Sequence, residues 1–239
     1  MTINNHVKNQ YNYLAISDEL ARIDPFFFKN NCSAFVSGFG NTLKSVNNQP
    51  KKNKGFDWYY KGNENGLLFN NDTMYFPNYG FWSGFETEIL TVHYIDQNLK
   101  PHYVGYTLAI DASNTGMRRN CISFQNISHL SYTGLGDKLL RKPLPELCEL
   151  QTNIIRNGNI VWTGKGLTGT KNMWNSPNHI FEYLFRNKML LQPGMIFYTL
   201  TGAAISTDKA GIRLQNNDIC SSKIVDESIS INLNYCENR

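Results

Sequence analysis

Glu86 and Glu88 stand one residue apart in Gly84-Phe85-Glu86-Thr87-Glu88-Ile89-Leu90, and Asp111 closes the run Val104-Gly105-Tyr106-Thr107-Leu108-Ala109-Ile110-Asp111. Read as strands, both stretches place their acids on one face. Successive side chains alternate, so the glutamates lie about 7 Å apart on the same side, with Phe85, Thr87 and Ile89 turned the other way. On the second strand Val104, Tyr106, Leu108 and Ile110 take the face opposite Asp111. Three convergent carboxylates facing a pocket make a divalent-metal site. Hard oxygen ligands suit magnesium, manganese or calcium, with water in the remaining positions. Those water positions are where a chelating ligand would enter. An E-x-E pair by itself is more often a solvent-facing strand edge, so the weight of the reading rests on what surrounds it.

The elements that must position these acids are mainly β. From Trp58 onward the pattern is short strands punctuated by Gly, Asn and Pro, as in a β sandwich or roll. Asn157-Gly158 signals a hairpin leading into Ile160-Val161-Trp162. Leu191-Gln192-Pro193-Gly194 reads as a turn, followed by a buried strand over Met195 to Leu200. Ser176-Pro177 supplies an N-cap and a first-turn proline for a helix whose Ile180, Phe181, Leu184 and Phe185 recur at helical spacing. A short helix is expected within residues 10–22, with Ser17 as its cap if only the second half is helical. Pro25 and Phe26-Phe27-Phe28 open a β-rich segment, and Gly40 to Asn53 suits a loop.

Bulk properties narrow the classes. A chain of 239 residues can bury a full core, and its 41% hydrophobic and 18% charged content is that of a globular protein. The basic cluster Lys51-Lys52-Asn53-Lys54 has no aromatic interleaving, which argues against a nucleic-acid partner. Five scattered cysteines without a C-x-x-C pair disfavour a zinc ribbon or disulfide framework and read as reduced thiols. The first residues lack the pattern of a secretory signal, and no stretch approaches the roughly 20 apolar residues that span a bilayer. A cytoplasmic protein without membrane partners is expected.

The acid-bearing segments, taken in order with their neighbours, resemble the metal-binding core of the fumarylacetoacetate hydrolase superfamily. Its members carry an E-x-E strand and then a V-x-G-Y-T-x-x-N-D-x-S segment, matched here by Val104 to Ser113. Asp24-Pro25-Phe26-Phe27-Phe28-Lys29 resembles the E-P-x-x-F-x-K segment, and Trp58-Tyr59-Tyr60-Lys61-Gly62 resembles a W-F-Y-K-G run of an AraD-like sugar-acid branch. Leu191 to Ile196 is similar to L-x-P-G-D-x-I, and Thr201-Gly202-Ala203 sits where T-G-T is usual. The similarity spans residues 10 to 235. It implies an α+β, mainly β fold: a mixed sandwich or roll over residues 58–239 behind an N-terminal lid and lead-in segment over residues 1–57. It also implies a homodimer and a small-molecule substrate.

By the same resemblance Glu86, Glu88 and Asp111 hold magnesium (or manganese or calcium), and the substrate is a 2-oxo acid or β-dicarbonyl compound that reacts through an enolate. Lys138, in Gly136-Asp137-Lys138-Leu139 ahead of Pro145-Glu146-Leu147, matches a lysine aimed at the substrate oxyanion. Arg119 aligns with an arginine that would grip a substrate carboxylate, and Thr201 and Gly202 fall in a substrate-contacting turn. Two departures alter the expectation. The lid segment Asn12 to Glu19 matches N-Y-x-x-H-x-x-E at its acid, Glu19, but Ile16 stands where the base should be, and isoleucine accepts no proton. Ala203 and Met195 replace a hydroxyl and a carboxylate. Hydrolysis therefore gives way to decarboxylation, dehydration, tautomerisation or ring closure. The alternatives are a C–C hydrolase with a substitute base, for which His129 is the candidate, or a non-catalytic binding protein. The other histidines offer less: His93 and His102 flank a turn between the two strands, and His179 belongs to the helix.

Overall fold

The computed structural model describes residues 33–46, 56–77 and 81–238. The lid segment with Ile16 and Glu19, the helix expected within residues 10–22, Cys32, and the basic cluster at residues 51–54 lie outside the described residues. Along the chain come β1 (Ala34–Phe39), β2 (Trp58–Gly62), β3 (Leu67–Leu68), β4 (Thr73–Pro77), β5 (Gly84–Ile95) and β6 (Pro101–Ser113). Then follow α1 (Thr115–Asn120), α2 (Gln125–His129), β7 (Thr133–Leu135), β8 (Cys148–Arg156) and β9 (Asn159–Thr168). The last elements are α3 (Pro177–Phe185), β10 (Ile196–Ser206), β11 (Ile219–Ile224) and β12 (Ile229–Asn238).

Two sheets organise these strands. One has the order β2-β1-β10-β5-β6-β7-β3, the other β4-β12-β11-β8-β9. The chain passes from β2 at one edge of the larger sheet to β3 at its other edge through only residues 63–66, so the edges must lie close together and the sheet is rolled. The mainly β architecture expected from sequence is the one observed. β1, ahead of residue 57, is an interior strand of the roll, paired to both β10 and β2.

The roll has two apolar surfaces. Its inner face carries Val36, Leu90, Val92, Ala109, Leu135, Tyr198 and Leu200. Part of its outer face, with Phe85, Ile89, Leu108, Ile110 and Ile205, packs on Leu150, Ile154, Ile231 and Leu233 of the second sheet. α3 covers another part of the outside. Ser176 caps it by accepting the His179 N–H, and Ile180, Phe181, Leu184 and Phe185 bury against Phe39, Ile95 and Phe197. The β8–β9 hairpin turns on Asn157 and Gly158 at φ 51° and 77°, as a two-residue turn of the right twist requires.

Two strand expectations need correction. β5 and β6 run 12 and 13 residues rather than forming short strands, because both are covered on each face and no Gly-Pro-Asn cluster interrupts them. Val104 does not share a face with Tyr106, Leu108 and Ile110. Val92 pairs with Gly105 and His93 with Tyr103, leaving Val104 as an extra residue in a bulge. The bulge resets the alternation and sends Val104 to the inner face with Leu90 and Val92. Gly105 makes the bulge at φ +153°, where an added Cβ would lie 2.3 Å from the Leu140 carbonyl oxygen.

Candidate metal centre

The two glutamates reach the roll interior because β5 is pinned by what lies between and beside them. Thr87 points to the second sheet, where its hydroxyl lies 2.6 Å from that of Thr152 and 3.1 Å from that of Ser222. That contact fixes the strand's rotation and turns Glu86 and Glu88 inward. The register then sets Glu86 directly across from Asp111 on β6. Ser206 on β10 and Thr133 on β7 extend the same row to either side. One carboxylate oxygen from each of Glu86, Glu88 and Asp111 lies within 4.8 Å of the other two.

From across the roll, β2 adds two side chains that the sequence reading passed over. Tyr59 donates its hydroxyl hydrogen to Asp111 Oδ2 at 2.6 Å. Lys61 Nζ lies 2.6 Å from Asp111 Oδ1 and donates to the Ala112 carbonyl. β2 and β6 are four places apart in the sheet, so these contacts form through the rolled interior. Their signal in the sequence was the period-2 spacing of Tyr59 and Lys61, which placed both on one face without saying what that face met.

His129 completes this wall. It ends α2 and is 4% exposed, with its imidazole stacked on the Tyr59 ring at 4.0 Å between centroids and 20° between planes. Burial pushes its pKa down to about 4, with Lys61 and Arg118 acting in the same direction and Asp111 opposing them. The ring is therefore neutral at physiological pH. Its Nδ1 has no hydrogen-bond partner among the described residues.

Burial together with the mutual repulsion of the acids governs the carboxylates. Glu88 is held well above the usual range by burial first, then by Asp111 and Glu86, with Lys61 and Lys209 pulling back. Glu86 is raised by burial and by Asp111, against Arg118, Lys209 and a hydrogen bond from Ser206. The Tyr59 phenol is raised by burial and by the three acids, so it stays a donor. Glu88 Oε2 and the neighbouring Thr133 hydroxyl are buried without a hydrogen-bond partner among the described residues, while Asp111 Oδ1 meets the Lys61 ammonium at 2.6 Å. Three carboxylates thus converge on a single buried ammonium, that of Lys61, with Lys209 and Arg118 also acting on them. The unpartnered Glu88 oxygen and this set of convergent hard carboxylate donors fit a divalent ion.

The other residues singled out from sequence lie elsewhere. Lys138 is exposed, and its carbonyl accepts from the Thr107 hydroxyl. Thr107 is four residues from Asp111 along β6, roughly 13 Å away along the strand, and this lysine shows no contact with the acids among the described residues. Arg119 gives Nε and Nη2 to Asp208 Oδ2 at 3.0 and 2.6 Å, beside Trp82, which bonds the same carboxylate and is overlaid by Arg213. Thr201 pairs with Ile89 and so faces the inter-sheet core, away from Glu88. Gly202, at φ +78°, opens the irregularity after Thr201, and its N–H donates to Thr42 Oγ1. His93 is a core residue against Phe181, Phe185 and Tyr103. His102 pairs with Asp96 at the β5–β6 turn.

No protein-family model matches the chain, and a search of curated proteins finds no match. Solved structures do match. One is 2-keto-3-deoxy-D-arabinonate dehydratase complexed with magnesium and 2,5-dioxopentanoate, at TM-score 0.66 and 20% identity over 86% of this chain and 73% of that one. Another is 2-hydroxyhepta-2,4-diene-1,7-dioate isomerase from Mycobacterium marinum, at TM-score 0.58 and 16% identity over 85% and 75%. A third is 5-carboxymethyl-2-hydroxymuconate delta-isomerase from Mycobacterium smegmatis, at TM-score 0.58 and 15% identity over 85% and 77%. At these identities the likeness is one of fold.

Proposed function

We propose that this chain is a divergent member of the fumarylacetoacetate hydrolase superfamily, nearest its AraD-like branch, and a divalent-metal-dependent enzyme. It would act on a 2-oxo acid through non-hydrolytic, enolate-type chemistry, with dehydration or isomerisation ahead of C–C cleavage. The observation that carries the reading is the inward row of Glu86, Glu88 and Asp111, with buried unpartnered oxygens and Lys61 in the same pocket. The folds it matches include a magnesium-complexed dehydratase and two isomerases, which supports the class.

Glu86, Glu88 and Asp111 would hold the ion, whose chemistry when bound is that of a Lewis acid polarising a substrate carbonyl. The remaining work belongs to the chain's own groups. Lys61, buried beside Asp111, would offset negative charge developing on the substrate oxygen. His129, neutral and with Nδ1 unpaired, takes the proton from the carbon beside the keto group. In a dehydration it returns that proton to the departing hydroxyl, so water leaves and no external acid is needed. Lys61 thus fills the role that sequence reasoning placed on Lys138. Assembly as a homodimer and a cytoplasmic location complete the proposal on the strength of the resemblance.

The test has two parts. Ion-free protein titrated with Mg2+ in a calorimeter should bind one ion per chain, and Glu88→Gln should weaken binding at least about tenfold, a loss of about 1.4 kcal/mol. Incubation with a 2-keto-3-deoxy sugar acid should then yield its dehydrated 2-oxo acid, and His129→Ala should abolish that dehydration. Binding of no divalent ion would defeat the enzyme reading in this form. Cleavage of acylpyruvates into two products would transfer it to a hydrolase.

A further inference from the structure

We propose that Tyr59 selects the ion, restricting the acid trio to small six-coordinate cations such as magnesium and manganese and disfavouring calcium. The inference rests on the metal reading above. Tyr59 brings a phenol oxygen into the row of acids. That oxygen is the atom that reaches Asp111 Oδ2.

The fold makes room for it. Gly38 on β1 pairs with Tyr59. A Cβ at position 38 would lie 2.4 Å from both the phenol oxygen and its ring carbon. On another side the His129 ring stacks against the phenol at 4.0 Å. Tyr59 is thus held on Asp111 by a glycine beside it and an imidazole against its face, in a residue only 5% exposed.

The consequence lies in how Asp111 can bind. A carboxylate chelates through both oxygens only if both turn toward the ion. With Oδ2 held by the phenol at 2.6 Å, Asp111 offers Oδ1. That oxygen meets the Lys61 ammonium at 2.6 Å, and a carboxylate oxygen has two lone pairs, so one remains for an ion. One oxygen from each of three acids, completed by water, would suit magnesium. Calcium takes six to eight oxygens and commonly recruits carboxylates as bidentate ligands. At Asp111 that would require breaking the Tyr59 bond.

Calorimetric titration of ion-free wild type and Tyr59→Phe with MgCl2, MnCl2 and CaCl2 decides the matter, with thermal melting as the check on folding. The wild type should bind Mg2+ and Mn2+ more tightly than Ca2+. Tyr59→Phe keeps the ring and its stack but frees Oδ2, and should raise the Ca2+ to Mg2+ affinity ratio about tenfold. A folded Tyr59→Phe protein with an unchanged ratio would overturn the proposal. So would a wild type that binds Ca2+ as tightly as Mg2+, which decides the question even if the variant does not fold. A wild type that binds none of the three ions would sink the metal reading itself, a separate outcome.

Discussion

Among the site's residues, Lys61 carries the largest energetic consequence. Its side chain is 0% exposed and stands among three acids, where removing the cation leaves like charges facing one another across a few ångströms. Breaking a buried ion pair from one side commonly costs about 3–5 kcal/mol. In ion-free protein at neutral pH, Lys61→Met should lower the unfolding free energy by about 3 kcal/mol by urea denaturation. The loss should shrink as pH falls, because the raised pKa values of Glu86 and Glu88 let them take up protons above the usual glutamate range. An unchanged midpoint at neutral pH would show that Lys61 is not the counter-charge. Lys61 also illustrates what a motif conveys: the run Trp58 to Gly62 was recognisable as a string, while the partner of its lysine was not.

At the scale of elements, the site depends on alternation holding from Glu86 to Leu90 and from Ala109 to Asp111, and on the bulge at Val104-Gly105 lying clear of that stretch. The bulge absorbs the extra residue before the acids are reached, so the register that faces Glu86 to Asp111 is undisturbed. Gly105 is the residue that allows it. Gly105→Ala would combine an unfavourable positive φ with a carbon 2.3 Å from a backbone oxygen that cannot swing aside. The expected cost is about 3 kcal/mol, with a loss of ion affinity through misregistered acids. Chemical denaturation and Mg2+ titration of the variant check both parts. If only stability falls, the bulge supports the fold and not the site.

For the whole molecule, ion binding and folding are linked. A ligand at about 100 times its Kd stabilises the native state by about 2.7 kcal/mol. In a chain of this size that corresponds to a rise in Tm of roughly 5–10 °C on adding Mg2+. The pH dependence follows from the acids. Glu86 and Glu88 are raised above the usual 4.5, so between that value and their folded pKa the native state holds more protons than the unfolded chain. Their contribution to stability therefore falls as pH rises through that window. An ion that pairs with the charged forms cancels the loss, so the stabilisation by Mg2+ should grow from about pH 5 to about pH 8. Melting curves with and without Mg2+ at both pH values test this, and a pH-independent increment would place the ion elsewhere. Among the described residues, no helix is long and apolar enough to cross a membrane.

The sequence by itself determined the local features. Alternation placed Glu86 with Glu88, Asn157-Gly158 made a hairpin, and Ser176-Pro177 started a helix that buries Ile180, Phe181, Leu184 and Phe185, because each depends on residues a few positions apart. The order of motifs also pointed to the fold. What the tertiary structure decided was which distant side chains share the interior. Rolling the larger sheet brings Tyr59 and Lys61 onto Asp111, and α2 lays His129 on Tyr59. The same closure leaves Lys138 in solvent, Arg119 on Asp208 and Thr201 in the inter-sheet core. Strand period fixes which face a residue takes, but contact across a roll depends on the curvature of a seven-stranded sheet, which no single strand encodes.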